Sequence, residues 1–357
     1  MIRIDRKPNE LIELFDAVAR RLSLSLGDSG SHAAFLAELS KSLSAKQSSG
    51  IALHGKRVES MFEYVAASLG KTILIKREDS GQICSSATNI APPDFRIVLE
   101  DRREIFVEVK NCHKTDPKFR FKIKSAYLES LKNYAAIFGR ELLIAIYWSR
   151  WKKWTAIRPE DLPKLNDKVG ITFPEAVQAN RMVMLGDTLI ATTEPLSMKF
   201  ITDSAKPRSI DESGHVTFTI GSVEFYCNSR LIEDDFEKQL AFYFMLYSNW
   251  ESGDSVPEIQ KGELISLTFV AKPQQSTPGQ DFEMLGYLSD MISRRYDELT
   301  AKGSEVVRLR PTADDPSTLG VIIPPDYRGK HLPLWRFSVS PRQADAPSMG
   351  NSELTAT

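Results

Sequence analysis

The run Leu142–Trp148, LLIAIYW, carries seven apolar or aromatic residues without a break. So short and unbroken a run is expected of a strand covered on both faces, since a strand with one wet face alternates. Such a strand needs layers on either side, and the preceding sequence supplies them. Apolar positions recur at helical spacing from Asn9 to Leu26, and Ser31 can cap a second helix running to about Lys46. A third helix is expected from about Lys56 to Leu69, stopped by Gly70. The period then changes. TILIKR, FRIVL and IFVEVK are short β-branched runs separated by turn residues, and a helix from about Lys122 to Phe138 follows. With LLIAIYW last, the order over residues 51–158 is αβββαβ.

The rest of the chain is less regular. An N-terminal helical extension is expected over 1–50, a connector with short strands over 159–213, and an α+β accessory domain over 214–342. A disordered tail is expected over 343–357. In the accessory part, a hairpin is expected around Gly221-Ser222, then helices from about Glu233 to Trp250 and from about Phe282 to Lys302. EVVRLRP and LGVIIPP suggest a further hairpin, so a winged helix is one reading. Arg294 and Arg295 would then lie on a recognition helix and Arg308 and Arg310 in the wing. An ordinary packed helix is the other reading.

Composition narrows the class. The 357 residues are 42% hydrophobic and 26% charged, with a formal net charge of −1, ordinary for a globular protein. Cys84, Cys112 and Cys227 are too few for a disulfide framework, which favours a reducing, cytoplasmic setting. No apolar leader and no stretch long enough to span a membrane is seen, so neither export nor membrane insertion is expected. No glycine-rich phosphate loop, Gly-x-Ser-x-Gly or zinc pattern occurs.

One polar constellation interrupts the strands. In IFVEVK, Glu108 and Lys110 share a face, about 7 Å apart for a rise of roughly 3.3 Å per residue. If FRIVL pairs with it through a hairpin at Glu100–Arg103, Asp94 falls near the same end. Two carboxylates and an amine then converge. Carboxylates with a backbone carbonyl suit Mg²⁺, and metal-assisted phosphodiester hydrolysis needs such parts. Taken singly, each piece also fits a turn aspartate and a solvated cross-face ion pair.

Pro93-Asp94 and Glu108-Val109-Lys110, with thirteen residues between the acids, resemble the motif of the PD-(D/E)xK nuclease superfamily. GKRVESMFEYVAASLG is similar to the opening helix of archaeal-type Holliday junction resolvases, with Gly55, Glu59 and Gly70 in the matching places. The resemblance covers roughly 51–158. It implies a restriction-endonuclease-like α/β (α+β) core with a mixed central sheet. It also implies Asp94, Glu108 and the Val109 carbonyl as ligands of Mg²⁺ (or Mn²⁺), Lys110 as the motif lysine and Glu59 as an accessory acid. Glu63, one turn on, competes with Glu59.

After the motif comes a basic stretch, Lys114, Lys118, Arg120, Lys122 and Lys124, with Phe119 and Phe121 interleaved and Asp116 the one acid among them. This composition suits a groove tracking phosphates, though a charge run is also simply a solvated surface. His113 beside it is an additional proton carrier or incidental. In WSRWKKW, Trp148 and Trp154 are expected to pack and Trp151 is open. The expected function is a Mg²⁺-dependent endonuclease acting on nucleic acid, DNA ahead of RNA, with a homodimer open and no membrane partner. The alternative is a non-catalytic nucleic-acid-binding regulator or assembly factor of the same fold.

Overall fold

The computed structural model describes residues 1, 10–48, 50–78, 83–303, 305–312 and 315–341. The expected tail lies outside the described residues. Three helices open the chain, α1 (Glu10–Leu22), α2 (Ser29–Ser48) and α3 (Gly50–Ser68). Phe15, Ala19 and Phe35 pack α1 on α2 in a small cluster of their own. The cap of α2 is Asp28 rather than Ser31: its carboxylate accepts from the backbone N–H of Gly30 and Ser31 and from the Ser31 hydroxyl.

The central sheet follows the order read from the sequence. Strands β1 (Thr72–Arg77), β2 (Phe95–Leu99) and β3 (Glu104–Cys112) run antiparallel. After β4 (Phe121–Lys124) and α4 (Ser125–Ile137), β5 (Glu141–Trp148) lies parallel to β3, and β6 (Lys153–Ile157) closes the sheet on β5. The order is β1-β2-β3-β5-β6, a mixed sheet. Its two faces explain the unbroken apolar run. Phe95, Ile97, Val107, Leu143 and Ala145 pack with Val58, Met61, Phe62 and Val65 of α3. Phe106, Ile144, Ile146 and Trp148 pack with Leu128, Leu131 and Tyr134 of α4. Each of the larger side chains contributes about 1.5–3 kcal/mol by leaving water. β4 stands outside the sheet and pairs with β8 (Lys168–Ile171), which also pairs with β7 (Lys164–Leu165). A short helix, α5 (Phe173–Gln178), follows.

Beyond it lie β9 (Leu189–Thr192), β10 (Leu196–Thr202), β11 (Ser209–Ile210), β12 (Val216–Thr217), β13 (Ile220–Cys227), β14 (Arg230–Ile232) and α6 (Asp235–Tyr247). They are followed by β15 (Glu251–Ser252), β16 (Val256–Gln260), β17 (Glu263–Lys272), β18 (Glu283–Tyr287) and α7 (Leu288–Thr300). β19 (Ala301–Lys302), β20 (Glu305–Val306) and β21 (Leu334–Phe337) come last. β14-β13-β10-β17-β15 form one sheet with β16 on β17, and β18-β9-β21 form another.

Several expectations for this part are corrected. Gly221-Ser222 is not a turn, for Ser222 sits inside β13 opposite Ile201. The tight turn is Asn228-Ser229, both at positive φ, joining β13 to β14. The stretch 283–287 is strand, because it hydrogen-bonds along β9, and α7 starts only at Leu288. LGVIIPP forms no hairpin. The 3₁₀ turn Pro316–Leu319 lies against the end of α3, where Ser68 Oγ donates to the Pro316 carbonyl at 2.9 Å. A Cβ on Gly320 would come within 2.9 Å of the Ser68 Cβ.

Helix α7 is a packed helix and does not present a recognition face. Met291, Ile292 and Tyr296 share one hydrophobic core with Val58, Met61 and Tyr64 of α3. Arg57 donates to Asp297 at 2.6 Å and to Thr300 at 2.8 Å, and Trp154 donates to Ser293 at 2.9 Å. Arg294 is occupied by the Tyr247 carbonyl and Asn249. No helix among the described residues is long and apolar enough to cross a membrane.

Candidate active site

The β2–β3 hairpin builds the site. Its turn is closed by the Leu99 N–H on the Arg103 carbonyl, with Arg102 at φ 68°. The register pairs Phe95 with Val107, so the next step brings Asp94 to Glu108. The contact is direct: the Val109 N–H donates to Asp94 Oδ2 at 2.7 Å. Both acids are buried, Asp94 at 8% and Glu108 at 2% exposure. Glu108 Oε1 accepts from Lys110 Nζ and, at 2.6 Å, from the hydroxyl of Tyr127 on α4. Lys110 Nζ also lies 5.3 Å from the centre of the Tyr127 ring.

The electrostatics follow from burial and crowding. Asp94 is pushed up to about 7, first by loss of water and then by the charges of Glu108 and Glu59. The Val109 N–H and Lys110 oppose that shift. The Tyr127 phenol is raised above its ordinary range by burial and by its bond to Glu108.

Glu59 and Glu63 are separated by their partners. Glu63 accepts from Arg77 at 3.1 and 3.2 Å and from Arg310 at 3.2 Å. Glu59 pairs with Lys56 at 2.5 Å and sits 3.8 Å from Arg77. Its charge is the one that reaches Asp94 and Tyr127.

Of the basic stretch, Lys114, Lys118, Lys122 and Lys124 are exposed. Arg120 is engaged within the protein instead, donating to the Gly170 carbonyl at 3.1 Å and to Glu175 at 2.9 Å. Arg308 is exposed and Arg310 is held by Glu63. His113 is exposed, with its carbonyl accepting from Arg150. Trp148 and Trp154 are buried, and Trp151 stacks on Phe173 with centroids 4.6 Å apart.

Two side chains in the site were not singled out from sequence. Tyr127 could have been found as the first member of an i, i+4, i+7 row with Leu131 and Tyr134 on the sheet-facing side of α4. Arg77 closes β1 with its guanidinium 4.8 Å from the Phe95 ring centre. Nothing in its own neighbourhood distinguishes it.

Whether the residues suit a divalent ion is decided by donor chemistry. Among the described residues, no group of three or more His, Cys, Asp and Glu has metal-holding geometry. What is present is two adjacent buried carboxylates, with Asp94 raised first by its burial and then by the charges beside it. Hard oxygen donors in that number fit Mg²⁺, which takes one or two protein carboxylates and keeps its waters.

No protein-family model matches the chain, and no curated protein matches it. Among solved structures, it is similar in part to a Holliday junction resolvase from the archaeal hyperthermophile Archaeoglobus fulgidus. The likeness spans 31% of this chain and 84% of that one, at 18% identity and a TM-score of 0.26. At that score it supports no inference about activity.

Proposed function

We propose that the chain is a metal-dependent endonuclease with a PD-(D/E)xK centre in a restriction-endonuclease-like core, acting on nucleic acid, with DNA as the leading substrate. The observation that carries this reading is the meeting of Asp94 with the Glu108-Val109-Lys110 strand, buried and joined by the 2.7 Å bond from the Val109 N–H. A surface ion pair does not require a second, buried carboxylate at its side, and burying one raises its proton affinity.

Asp94, Glu108 and the Val109 carbonyl would hold Mg²⁺, with Glu59 as the accessory acid. Such an ion supplies Lewis-acid polarisation and charge neutralisation at a phosphodiester. The protein's own groups have separate tasks. Tyr127 fixes the Glu108 carboxylate through its 2.6 Å bond. Lys110, with 28% of its side chain exposed, is the amine placed to donate to a phosphate oxygen or an attacking water. Arg77 holds Glu63 and so keeps a second glutamate out of the cluster.

The test is cleavage of supercoiled plasmid, linear duplex, single-stranded DNA and RNA with Mg²⁺ or Mn²⁺, with Asp94→Ala and Lys110→Ala alongside. Metal-dependent cutting lost in both variants is the expected result. No cutting of any substrate at high protein excess would sink the proposal. One observation favours the non-catalytic alternative: Glu108 and Glu59 each already have a lysine partner, Lys110 and Lys56. Metal titration by calorimetry separates the two, since only the nuclease takes up an ion that Asp94→Ala abolishes.

A further inference from the structure

We infer that the outer face of the small β4–β8 sheet, carrying Lys122, Lys124 and Lys168, is a track for the phosphates of a nucleic-acid backbone; this rests on the nuclease reading and gives it a partner surface. The sheet has a dry side and a charged side. Ile123, Val169 and Ile171 are buried against the core that also holds α4. Lys122 and Lys124 alternate with Ile123 and point away from it, both exposed. Lys168 belongs to β8, 44 residues further along the chain, and stands directly opposite Lys124.

That pairing is unfavourable for a strand pair left to itself. The Ser125 N–H donates to the Asp167 carbonyl one step beyond. Lys124 and Lys168 are therefore a non-hydrogen-bonded pair, the kind whose side chains come closest, with Cβ atoms about 4.5–5.5 Å apart. Like charges so placed repel. Among the described residues, none of Lys122, Lys124 and Lys168 has an ion-pair partner. Of the acids nearby, Asp116 and Asp167 lie in turns, Glu160 is exposed in the cavity it shares with Ser125 and Lys164, Glu175 is held by Arg120 and Glu129 by Lys132. Opposite Lys122 stands Gly170, which brings no charge of its own; the side chains of Leu165 and Arg120 lie 3.1 and 3.2 Å from where its Cβ would be, so the neighbours of Lys122 there are an apolar group and a second cation.

The row also leads to the acids. Lys124 is the residue from which α4 starts, and Tyr127, three positions on, is bonded to Glu108. A polyanion along Lys168, Lys124 and Lys122 would relieve the repulsion and run towards the candidate site. Nucleic acid is the polyanion whose continuous backbone does both.

The test measures binding without cleavage. Fluorescence anisotropy with labelled DNA and RNA duplexes of one sequence is run in EDTA from about 50 to 200 mM salt, the range over which phosphate contacts dominate affinity. The Lys122→Ala/Lys124→Ala/Lys168→Ala variant is expected to bind about tenfold or more weakly, with a slope of log Kd on log salt smaller by about 2–3. Lys168→Ala alone should reduce it by about 1. A control with exposed Lys261, Lys272 and Lys302 changed to Ala should keep wild-type affinity and slope. The triple variant should melt no lower than wild type, because a like-charge pair has been removed, so lost binding is not lost fold. Loss on both polymers, or on one alone, supports the track and names its polymer. A wild-type slope in the triple variant, or an equal loss in the control, overturns it. Weakened binding by a protein that cuts nothing keeps the track and discards the nuclease; metal-dependent cutting with an unchanged slope does the reverse.

Discussion

Two buried acid clusters in this molecule look alike in their charges and differ in their surroundings. At the β2–β3 hairpin, Asp94 is raised to about 7 beside Glu108, which is paired with Lys110. At the junction of β6 and α7, Asp187 is raised to about 7 beside Asp290, which is paired with Lys153. In both, burial is the main cause and a neighbouring carboxylate adds to it. In the second cluster the acids themselves are enclosed. Asp187 accepts from the Ser289 N–H at 3.0 Å and the Ser289 hydroxyl at 2.7 Å, and from the Thr188 N–H at 3.1 Å, at 4% exposure. Both clusters keep a lysine partly at the surface, Lys110 at 28% and Lys153 at 27% side-chain exposure, and the first opens further through Tyr127, 38% exposed. A raised carboxyl therefore marks burial with a like-charged neighbour; access distinguishes a reaction site from a structural joint.

The largest difference is expected in catalysis. Asp94→Ala should lower cleavage about 10³-fold, the equivalent of roughly 4 kcal/mol of transition-state stabilisation. It should change the melting temperature little, since relief of a crowded buried carboxylate is offset by loss of the acceptor for the Val109 N–H. Asp187→Ala should leave cleavage within a fewfold and lower stability instead. If Asp187→Ala abolished cutting in a folded protein, the division between reaction site and joint would fail.

How much of this contrast could be read from the sequence depends on the distance between the parts. The central strands were legible because each is a local run, and TILIKR and FRIVL coincide with β1 and β2. Asp94 and Glu108 were legible because a single tight hairpin fixes their register. Tyr127 was missed because its partner lies 19 residues away across the sheet, and strand alternation says nothing of it. The joint was illegible for the same reason on a larger scale: Lys153 and Asp290 are 137 residues apart. An apolar stripe with Arg294 and Arg295 near its end suits a core helix and a DNA-reading helix equally well, so α7 was undecided until its packing was known. Residues 122–124 were read as part of a basic stretch and as the start of the helix, which in fact begins at Ser125, because β8, the strand that holds them in a sheet, follows by more than forty residues.

The next effect is a pH dependence at the second cluster. A carboxyl near 7 in the folded chain, against 3.8 for an ordinary aspartate, keeps a proton that the unfolded chain has already released. The stability it contributes is complete below about pH 4 and declines as pH rises to about 7. At about 1.36 kcal/mol per pH unit the upper bound is of the order of 4 kcal/mol. Asp187→Asn, which keeps an acceptor for Ser289, should flatten the fall between pH 4 and 7 in urea titrations. An unchanged profile would remove Asp187 as its source.

Asp290→Ala comes next and is smaller. It strands Lys153, which packs 5.1 Å from the Tyr287 ring centre but keeps 27% of its side chain exposed. Removing one member of a fully buried pair costs about 3–5 kcal/mol; with the lysine able to reach water, about 2–3 kcal/mol is expected. Asp290 also has a buried Oδ1 without a hydrogen-bond partner, which reduces what its removal forfeits. Chemical denaturation should show this loss with cleavage at low temperature unchanged.

The smallest effect tests the open side of the first cluster. Tyr127→Phe keeps the ring beside Lys110 and removes only the hydroxyl that donates to Glu108 Oε1. One charge-assisted hydrogen bond contributes about 1.5–3 kcal/mol, and part of it is replaced because Lys110 donates to the same oxygen. A loss of about 5–10-fold in the cleavage rate is therefore expected, with substrate binding unchanged, because the hydroxyl orients a carboxylate and touches no substrate. Tyr127→Ala should lose more, since it also removes the ring against which the lysine is placed. If Phe and Ala were equally impaired, the hydroxyl rather than the ring would hold the site. If neither lost activity, α4 would be a wall of the site and not part of its machinery.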